Sequence, residues 1–171
     1  MDTKTLVFLF IFISFVPLIY TIFEDSNTLH MNNTLSYYIG DQEKRYAQFT
    51  LYFAFVSGFM LLFEYLVYKV VDFRILLLVF STFTLLWIPE QEHFYTHIFF
   101  AVTAFVNVII YMMQMSMVHK HYIYTTLTWT NILILMYIAL FFRFSSVVNA
   151  EIIFVLIFLL FYWFHHKNTF Q

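Results

Sequence analysis

The chain has 171 residues, of which 63% are hydrophobic and only 11% are charged. Soluble domains average roughly 45–50% apolar and about 25% charged residues, so a soluble fold of this length could not remove so much apolar side chain from water. The net charge of −2 offers no basic face for nucleic acid, and the absence of cysteine excludes disulfides, thiolate metal sites and cysteine nucleophiles. Two glycines cannot build a glycine-rich phosphate loop. The composition predicts an integral membrane protein.

Six apolar runs approach the roughly 20 residues that a helix needs to cross the hydrocarbon core. They lie at about 5–23, 46–69, 73–89, 94–118, 122–142 and 147–164. None shows strand-type alternation, so we predict an all-α bundle of six transmembrane helices. The first run lacks a small-residue cleavage site after it, which favours a retained anchor over a signal peptide. Short polar connections, without repeats or linkers, predict one membrane domain over residues 1–171.

The distribution of Lys and Arg predicts the orientation of this bundle. If the N-terminus is cytosolic, the cytosolic side carries five basic residues and the outer side carries three. The cytosolic set is Lys4, Lys69, Arg74, Lys120 and Lys167; the outer set is Lys44, Arg45 and Arg143. We therefore expect both termini in the cytosol. In this orientation Asn32, in the triplet Asn-Asn-Thr, is a glycosylation acceptor in the outer loop.

The fourth run carries a polar face along its length. Alternating steps of four and three from His93 reach His97, Phe100, Ala104, Asn107, Tyr111 and Gln114. The opposite side is Ile, Val and Phe, so we expect this polar face to point into the bundle. There Asn107, Tyr111 and Gln114 can form interhelical hydrogen bonds worth about 0.6–2 kcal/mol each.

The outer end of the same run combines acids with two histidines. Pro89 followed by Glu90 and Glu92 is typical of a helix start, where acids lie near the positive end of the helix dipole. His93 and His97 have the i, i+4 spacing of a metal-binding pair. A zinc site needs a third protein ligand, which the pattern does not supply, so we predict no metal site. His97 is the better functional candidate because a buried imidazole needs a partner.

Other polar residues fall at the same predicted outer level as His97. They are Glu24, Asp25, Arg45, Arg143, Asn149 and Glu151. Two arrangements remain open for them: a polar pocket that faces the outer lipid headgroups, or scattered interfacial pairs.

Two polar features lie toward the cytosolic side. Glu64, inside the second run, is expected either to snorkel or pair near the interface or to handle protons or ions, with Arg74 or Asn131 as alternative partners. The sequences His-Lys-His at 119–121 and His-His-Lys at 165–167 are typical of basic helix ends facing anionic lipid.

The stretch EQEHFYTHIFFAVTAFVNVIIYMMQ, at 90–114, resembles the FRAG/DRAM/Sfk family of six-span membrane proteins. The shared pattern is a polar or acidic residue, a His, small residues, an aromatic residue and a Tyr near a polar helix end. The matching positions are Glu92, His97, Ala101, Ala104, Phe105 and Tyr111. Looser similarities follow the same order in YYIGDQEKRYAQFTLYFAF, at 37–55, and NAEIIFVLIFLLFYWFHHKN, at 149–168. The chain departs from the family at LSYYIG, where a Pro-Ser-Ile-Ser segment is usual, and at Ile152, where a Trp is usual.

The resemblance implies a protein of the Golgi, endoplasmic reticulum or lysosomal membrane with a lipid-linked role, including GPI-anchor lipid maturation. Its partners would be membrane lipids, together with GPI-anchored proteins or other membrane subunits, and His97 and Glu151 would be the residues to test. We predict no cofactor. The sequence contains no recognisable nucleophile–base pair, so an enzyme and a non-catalytic factor both stay open. The alternatives are a structural or interaction subunit of a membrane complex, including an organellar one, and a channel or transporter. The last is weaker because no inverted repeat or Gly/Pro helix break appears.

Overall fold

The computed structural model describes residues 43–88, 93–141 and 147–168, together with Thr5 and Leu9, which are helical. Within these ranges every regular element is a helix, and there is no strand. The helices are α1 (Glu43–Tyr68), α2 (Phe73–Trp87), α3 (Phe94–His119), α4 (Tyr122–Phe141) and α5 (Val148–Asn168). The all-α prediction is confirmed for the described residues, and each helix begins and ends within four residues of a predicted run.

Two of these helices have the length and composition of a membrane span. They are α3, with 26 residues, and α4, with 20 residues. The apolar parts of α1, α2 and α5 are shorter, at Ala54–Leu66, Phe73–Leu85 and Asn149–His165. Apart from Thr5 and Leu9, the first predicted span lies outside the described residues. Six spans and the positions of the termini therefore stay predictions.

The described helices fall into two compact units. The first unit contains α1, α2 and α3 as far as Ala104, and in it α1 packs against α2. The second unit contains α3 from Phe105 onward, α4 and α5, and in it α4 packs against α5. The single membrane domain expected from the sequence stays a prediction.

An aspartate starts α2 in the first unit. Asp72 is the N-cap residue, and its carboxylate accepts hydrogen bonds from the Arg74 backbone N–H at 2.8 Å and from Arg74 Nε at 2.9 Å. This contact satisfies one of the N–H groups that a helix start leaves without a partner. The turn before it is short because Lys69, with φ of 61°, reverses the chain directly after α1. The core beneath this turn includes Phe63 and Ile75, which are both buried.

A second left-handed lysine ends α3. Lys120 has φ of 48°, and its N–H donates to the Ser116 carbonyl at 3.1 Å. This is the αL position that glycine usually occupies after a helix. A left-handed conformation costs a residue with a Cβ roughly 1–2 kcal/mol, while a cation there is favourable beside the negative end of the helix dipole. The chain thus retains a positive charge at this turn at the expense of backbone strain.

The core of the second unit is aromatic. Phe105 contacts Phe154 edge-on with ring centroids 4.9 Å apart, and Tyr124 contacts Phe161 in the same way at 5.3 Å. The fully buried side chains of this unit include Met112, Tyr124, Phe154, Leu159, Phe161 and Tyr162. Edge-to-face ring pairs add about 0.5–1.5 kcal/mol to the burial of their area, so these contacts hold α3 and α4 to α5.

The strain at Lys120 predicts a stabilising substitution. Lys120→Gly should raise the free energy of unfolding by about 1 kcal/mol, because glycine adopts positive φ without a steric penalty. Lys120→Val should lower it, because a β-branched residue fits this region poorly. Thermal unfolding of the purified protein in detergent measures both changes. Equal stability of the glycine and valine variants would contradict the assigned backbone conformation.

Candidate functional site

His97 is buried in the first unit, and its partner is a backbone carbonyl. Its Nδ1 lies 2.7 Å from the oxygen of Ile88, the residue that ends α2. A carbonyl oxygen can only accept, so Nδ1 carries the hydrogen and donates it. In the neutral ring this tautomer places the lone pair on Nε2. The expected need for a partner is confirmed, and the contact ties the first turn of α3 to the end of α2.

The predicted polar face of α3 is buried over most of its length. Ala104, Asn107 and Tyr111 are buried and Phe100 is half-buried, as expected for a face that points inward. His93 and Gln114, at its two ends, are exposed. The prediction that Gln114 lies on the inward face is therefore wrong. Alternating steps of four and three average 3.5 residues per turn, so the selected positions drift by about 20° per heptad on a straight helix.

Glu151 lies in the first turn of α5 and is buried in the second unit. Its backbone N–H donates to the Val147 carbonyl at 2.9 Å. A carboxylate in this turn is stabilised by the positive end of the helix dipole. Glu92, Arg143 and Asn32 lie outside the described residues. The outer pocket that the sequence suggests around His97 stays a prediction.

Glu64 is almost entirely buried, with only 2% of the residue exposed. This burial contradicts the expectation that its side chain snorkels to an interface. One suggested partner, Arg74, forms an ion pair with Asp72. The other, Asn131, hydrogen-bonds within the second unit.

A row of buried and part-buried polar contacts in the second unit was not anticipated from the sequence. The Ser116 and Thr128 hydroxyl oxygens lie 2.8 Å apart and join α3 to α4. One turn further along α4, Asn131 Nδ2 donates to the Phe154 carbonyl at 3.2 Å and lies 3.3 Å from Met112 Sδ. Asn131 Oδ1 has no hydrogen-bond partner among the described residues. Asn131 therefore touches both neighbouring helices, and it keeps one acceptor unused in a fully buried position.

Two histidines close the end of this row. His119 Nε2, at the end of α3, lies 2.8 Å from His165 Nδ1, near the end of α5. Tyr124 stacks on the His119 ring at 5.1 Å and donates its hydroxyl hydrogen to the Phe164 carbonyl at 2.9 Å. The interpretation of these histidines as basic helix ends facing lipid is thus wrong for His165, which is buried. A usable signal existed, since α3 and α5 run in the same direction in the predicted topology and so end at one level.

Chemically, the described residues offer hydrogen bonding and proton binding. They contain no group of three or more His, Asp or Glu side chains that could hold a metal ion. No family model, no curated protein and no solved structure matches the chain.

The contacts of Asn131 predict the effect of two substitutions of similar size. Asn131→Leu should change the free energy of unfolding by no more than about 1–2 kcal/mol, because it removes modest hydrogen bonds together with an unpartnered oxygen. Asn131→Asp should destabilise the protein strongly, because it puts a carboxylate oxygen against the Phe154 carbonyl in a fully buried position. Yield and melting temperature in detergent distinguish the two. A stable aspartate variant would show that water or a cation reaches this position.

Proposed function

We propose that the protein is a multi-pass integral membrane protein with six spans and both termini in the cytosol. The observation that carries this proposal is the exposure of the two helices that have the length and composition of a membrane span. Only 28% of the residues in the most apolar window of α3 are buried, and only 22% in that of α4. A core helix of a soluble protein would be mostly buried. An apolar surrounding phase such as lipid would stabilise helices this apolar and this exposed, which supports the proposal.

The outer surface of α4 is rich in exposed apolar side chains. Its exposed large apolar side chains are Tyr122, Trp129, Leu133, Met136, Tyr137, Leu140 and Phe141. Leaving one large apolar side chain in water rather than burying it costs about 1.5–3 kcal/mol. Several such residues on a single helix would cost as much as the entire stability of a typical domain. Contact with lipid tails removes that cost.

Exposed hydroxyl groups on α2, α3 and α4 fit a lipid setting. The Thr126 and Thr130 hydroxyls each donate to the carbonyl four residues earlier in α4, both at 2.9 Å. Thr103 of α3 does the same at 2.7 Å, and Thr84 of α2 at 2.9 Å. A hydroxyl that faces hydrocarbon has no water to bond, so it must find a partner within its own helix.

We further propose a lipid-linked role in the endoplasmic reticulum, Golgi or lysosomal membrane, with GPI-anchor lipid maturation as the specific case. The support is the resemblance of 90–114 to the FRAG/DRAM/Sfk family, together with the burial of His97, Ala104 and Tyr111. Membrane lipids and GPI-anchored proteins are the proposed partners. The hydrogen bond from His97 to Ile88 fits a residue that holds α2 against α3 and equally one that acts on lipid through Nε2. We therefore propose no catalytic role for His97.

The topology has a direct test, because the natural chain contains no cysteine. Single cysteines at the exposed positions Val70, Lys120 and His93 can be labelled in sealed cells with a membrane-impermeant maleimide. We expect V70C and K120C to react only after the plasma membrane is permeabilised. H93C should stay protected at that step and react only when the organelle membrane is opened too. Asn32 should acquire a glycosidase-sensitive glycan. Labelling of all three positions from one side would contradict the six-span topology.

The activities of two His97 variants distinguish an action on lipid from a purely structural role. His97→Ala removes both ring nitrogens, whereas His97→Asn keeps a donor near the position of Nδ1, so it preserves the Ile88 contact and removes Nε2. If Nε2 acts on lipid, both variants should lose at least tenfold in activity, measured as the lipid composition and surface level of a GPI-anchored reporter. If His97 only ties α2 to α3, the asparagine variant should keep activity.

The matched controls are exposed residues near the tested positions. His93→Ala, on the same helix as His97, and Ile153→Ala, two residues after Glu151, should leave the reporter unchanged, while Glu151→Ala should lower it. Normal reporter lipids in the alanine variants of both His97 and Glu151, at normal protein level, would reject the lipid-remodelling role. In that case an interaction subunit of a membrane complex becomes the better assignment.

A further inference from the structure

Lys120 is held in a backbone conformation that its own side chain makes unfavourable. Its φ of 48° lies in the left-handed region directly after α3 ends, and the residue is exposed. A residue with a Cβ loses more free energy in this region than an exposed cation ordinarily regains from the negative end of a helix dipole. Strained residues of this kind are concentrated where the protein contacts a ligand. A contact made by the Lys120 ammonium would offset the strain.

Lys69 provides a comparison, because it has the same conformation directly after α1. Its φ is 61°, it is exposed, and its Nζ lies 5.9 Å from the centroid of the Tyr65 ring. A cation over an aromatic face is attracted by the electrons of the ring. At Lys69 the chain itself therefore supplies a contact for the ammonium.

The surface around Lys120 combines positive charge with exposed apolar side chains. Residues 93–150 include no Asp or Glu, so α3, α4 and the turn between them carry no acid of their own. Met117 and Val118 are exposed at the end of α3, and Tyr122 is exposed at the start of α4. A soluble anion would use only the charge and leave these apolar side chains in water, which is unfavourable.

A lipid satisfies both parts of this surface. Lysine can lay its apolar stem along the boundary of the hydrocarbon while its ammonium reaches the headgroup level. The exposed apolar side chains on either side then contact acyl chains, and the charge meets the phosphate. Charge complementarity favours a lipid whose headgroup is anionic over one in which a choline cation balances the phosphate.

We propose that Lys120 is a contact site for the phosphate of an anionic membrane lipid. The ammonium donates to a phosphate oxygen, and Met117, Val118 and Tyr122 contact the acyl chains. The inference rests on the proposed membrane setting and adds to it a preference for anionic lipid at the turn between α3 and α4. A basic residue near an anionic membrane surface contributes roughly a fivefold preference.

The test compares two lipids at a reporter beside Lys120. Because the natural chain contains no cysteine, a fluorophore can be attached at V118C alone in the full-length protein, which is placed in phosphatidylcholine nanodiscs. Phosphatidylglycerol or phosphatidylcholine that carries a nitroxide quencher on an acyl chain is then included as a minor component. At about pH 8, where histidine is mostly neutral, we expect phosphatidylglycerol to quench the reporter at roughly one fifth of the concentration that phosphatidylcholine needs.

Three substitutions at Lys120 distinguish the effect of its charge from that of its strain. Lys120→Gln and Lys120→Gly should abolish the preference at V118C, whereas Lys120→Arg should retain it because arginine keeps the cation. The glycine variant should lose the preference while unfolding at a higher temperature in detergent, a combination that poor folding cannot produce. Lys44→Gln is the matched control. It removes an equal charge at the start of α1, on the opposite side in the proposed topology, and should leave the preference unchanged.

The outcomes distinguish the lipid contact from the membrane setting on which it rests. If neither lipid quenches the reporter, the membrane setting is rejected and the lipid contact with it. Equal quenching by the two lipids in the parent protein, or an unchanged preference in the glutamine and glycine variants, would overturn the lipid contact alone. Loss of the preference on adding inorganic phosphate at constant ionic strength would also overturn it, because Lys120 would then bind a soluble anion.

Discussion

A helix that leaves many large apolar side chains exposed gains stability from a second apolar phase, and the proposed membrane setting depends on this constraint. In α3 and α4 about three quarters of the residues in the most apolar window are not buried by the protein itself. In the proposed membrane setting the hydrophobic effect inserts such helices but contributes little to their association, since lipid tails are as apolar as leucine. Packing and buried polar contacts must then determine how the helices pair.

The interhelical polar contacts of the second unit suit that task. Ser116 and Thr128 join α3 to α4, Asn131 reaches the backbone of α5, and His119 meets His165. Each bond is worth only about 0.6–2 kcal/mol, but a rotation or slide of one helix would break them together. The aromatic core reinforces this helix pairing, because Tyr124 stacks on His119 and donates a hydrogen bond to the carbonyl of Phe164. Specific pairing therefore rests on a few directional contacts within a mostly apolar interior.

The sequence predicted the helices well because polar connections interrupt apolar runs at well-defined places. Asp72 begins α2, and the Lys120–His121 turn separates α3 from α4. The sequence predicted less of the candidate site than of the helices. The inward direction of Asn107 and Tyr111 followed from periodicity, yet the same rule failed at Gln114 because a 3.5-residue step drifts on a straight helix. The partner of His97 was not predictable, because every residue has a backbone carbonyl and the residue types do not indicate which one His97 contacts. The His119–His165 pair depends on how two distant helices rotate toward each other, which hydrophobic patterning alone leaves undetermined.

The most direct test of the central claim is the environment of the exposed face of α4. Single spin labels at L133C and L140C, both exposed in α4, can be probed in nanodiscs by their collisions with oxygen, which concentrates in lipid, and with a water-soluble nickel chelate. The proposed membrane setting predicts high oxygen accessibility and low chelate accessibility at both positions, in contrast to K120C in the polar turn. Chelate accessibility at Leu133 and Leu140 equal to that at Lys120 would place this face in water and contradict the proposed membrane setting.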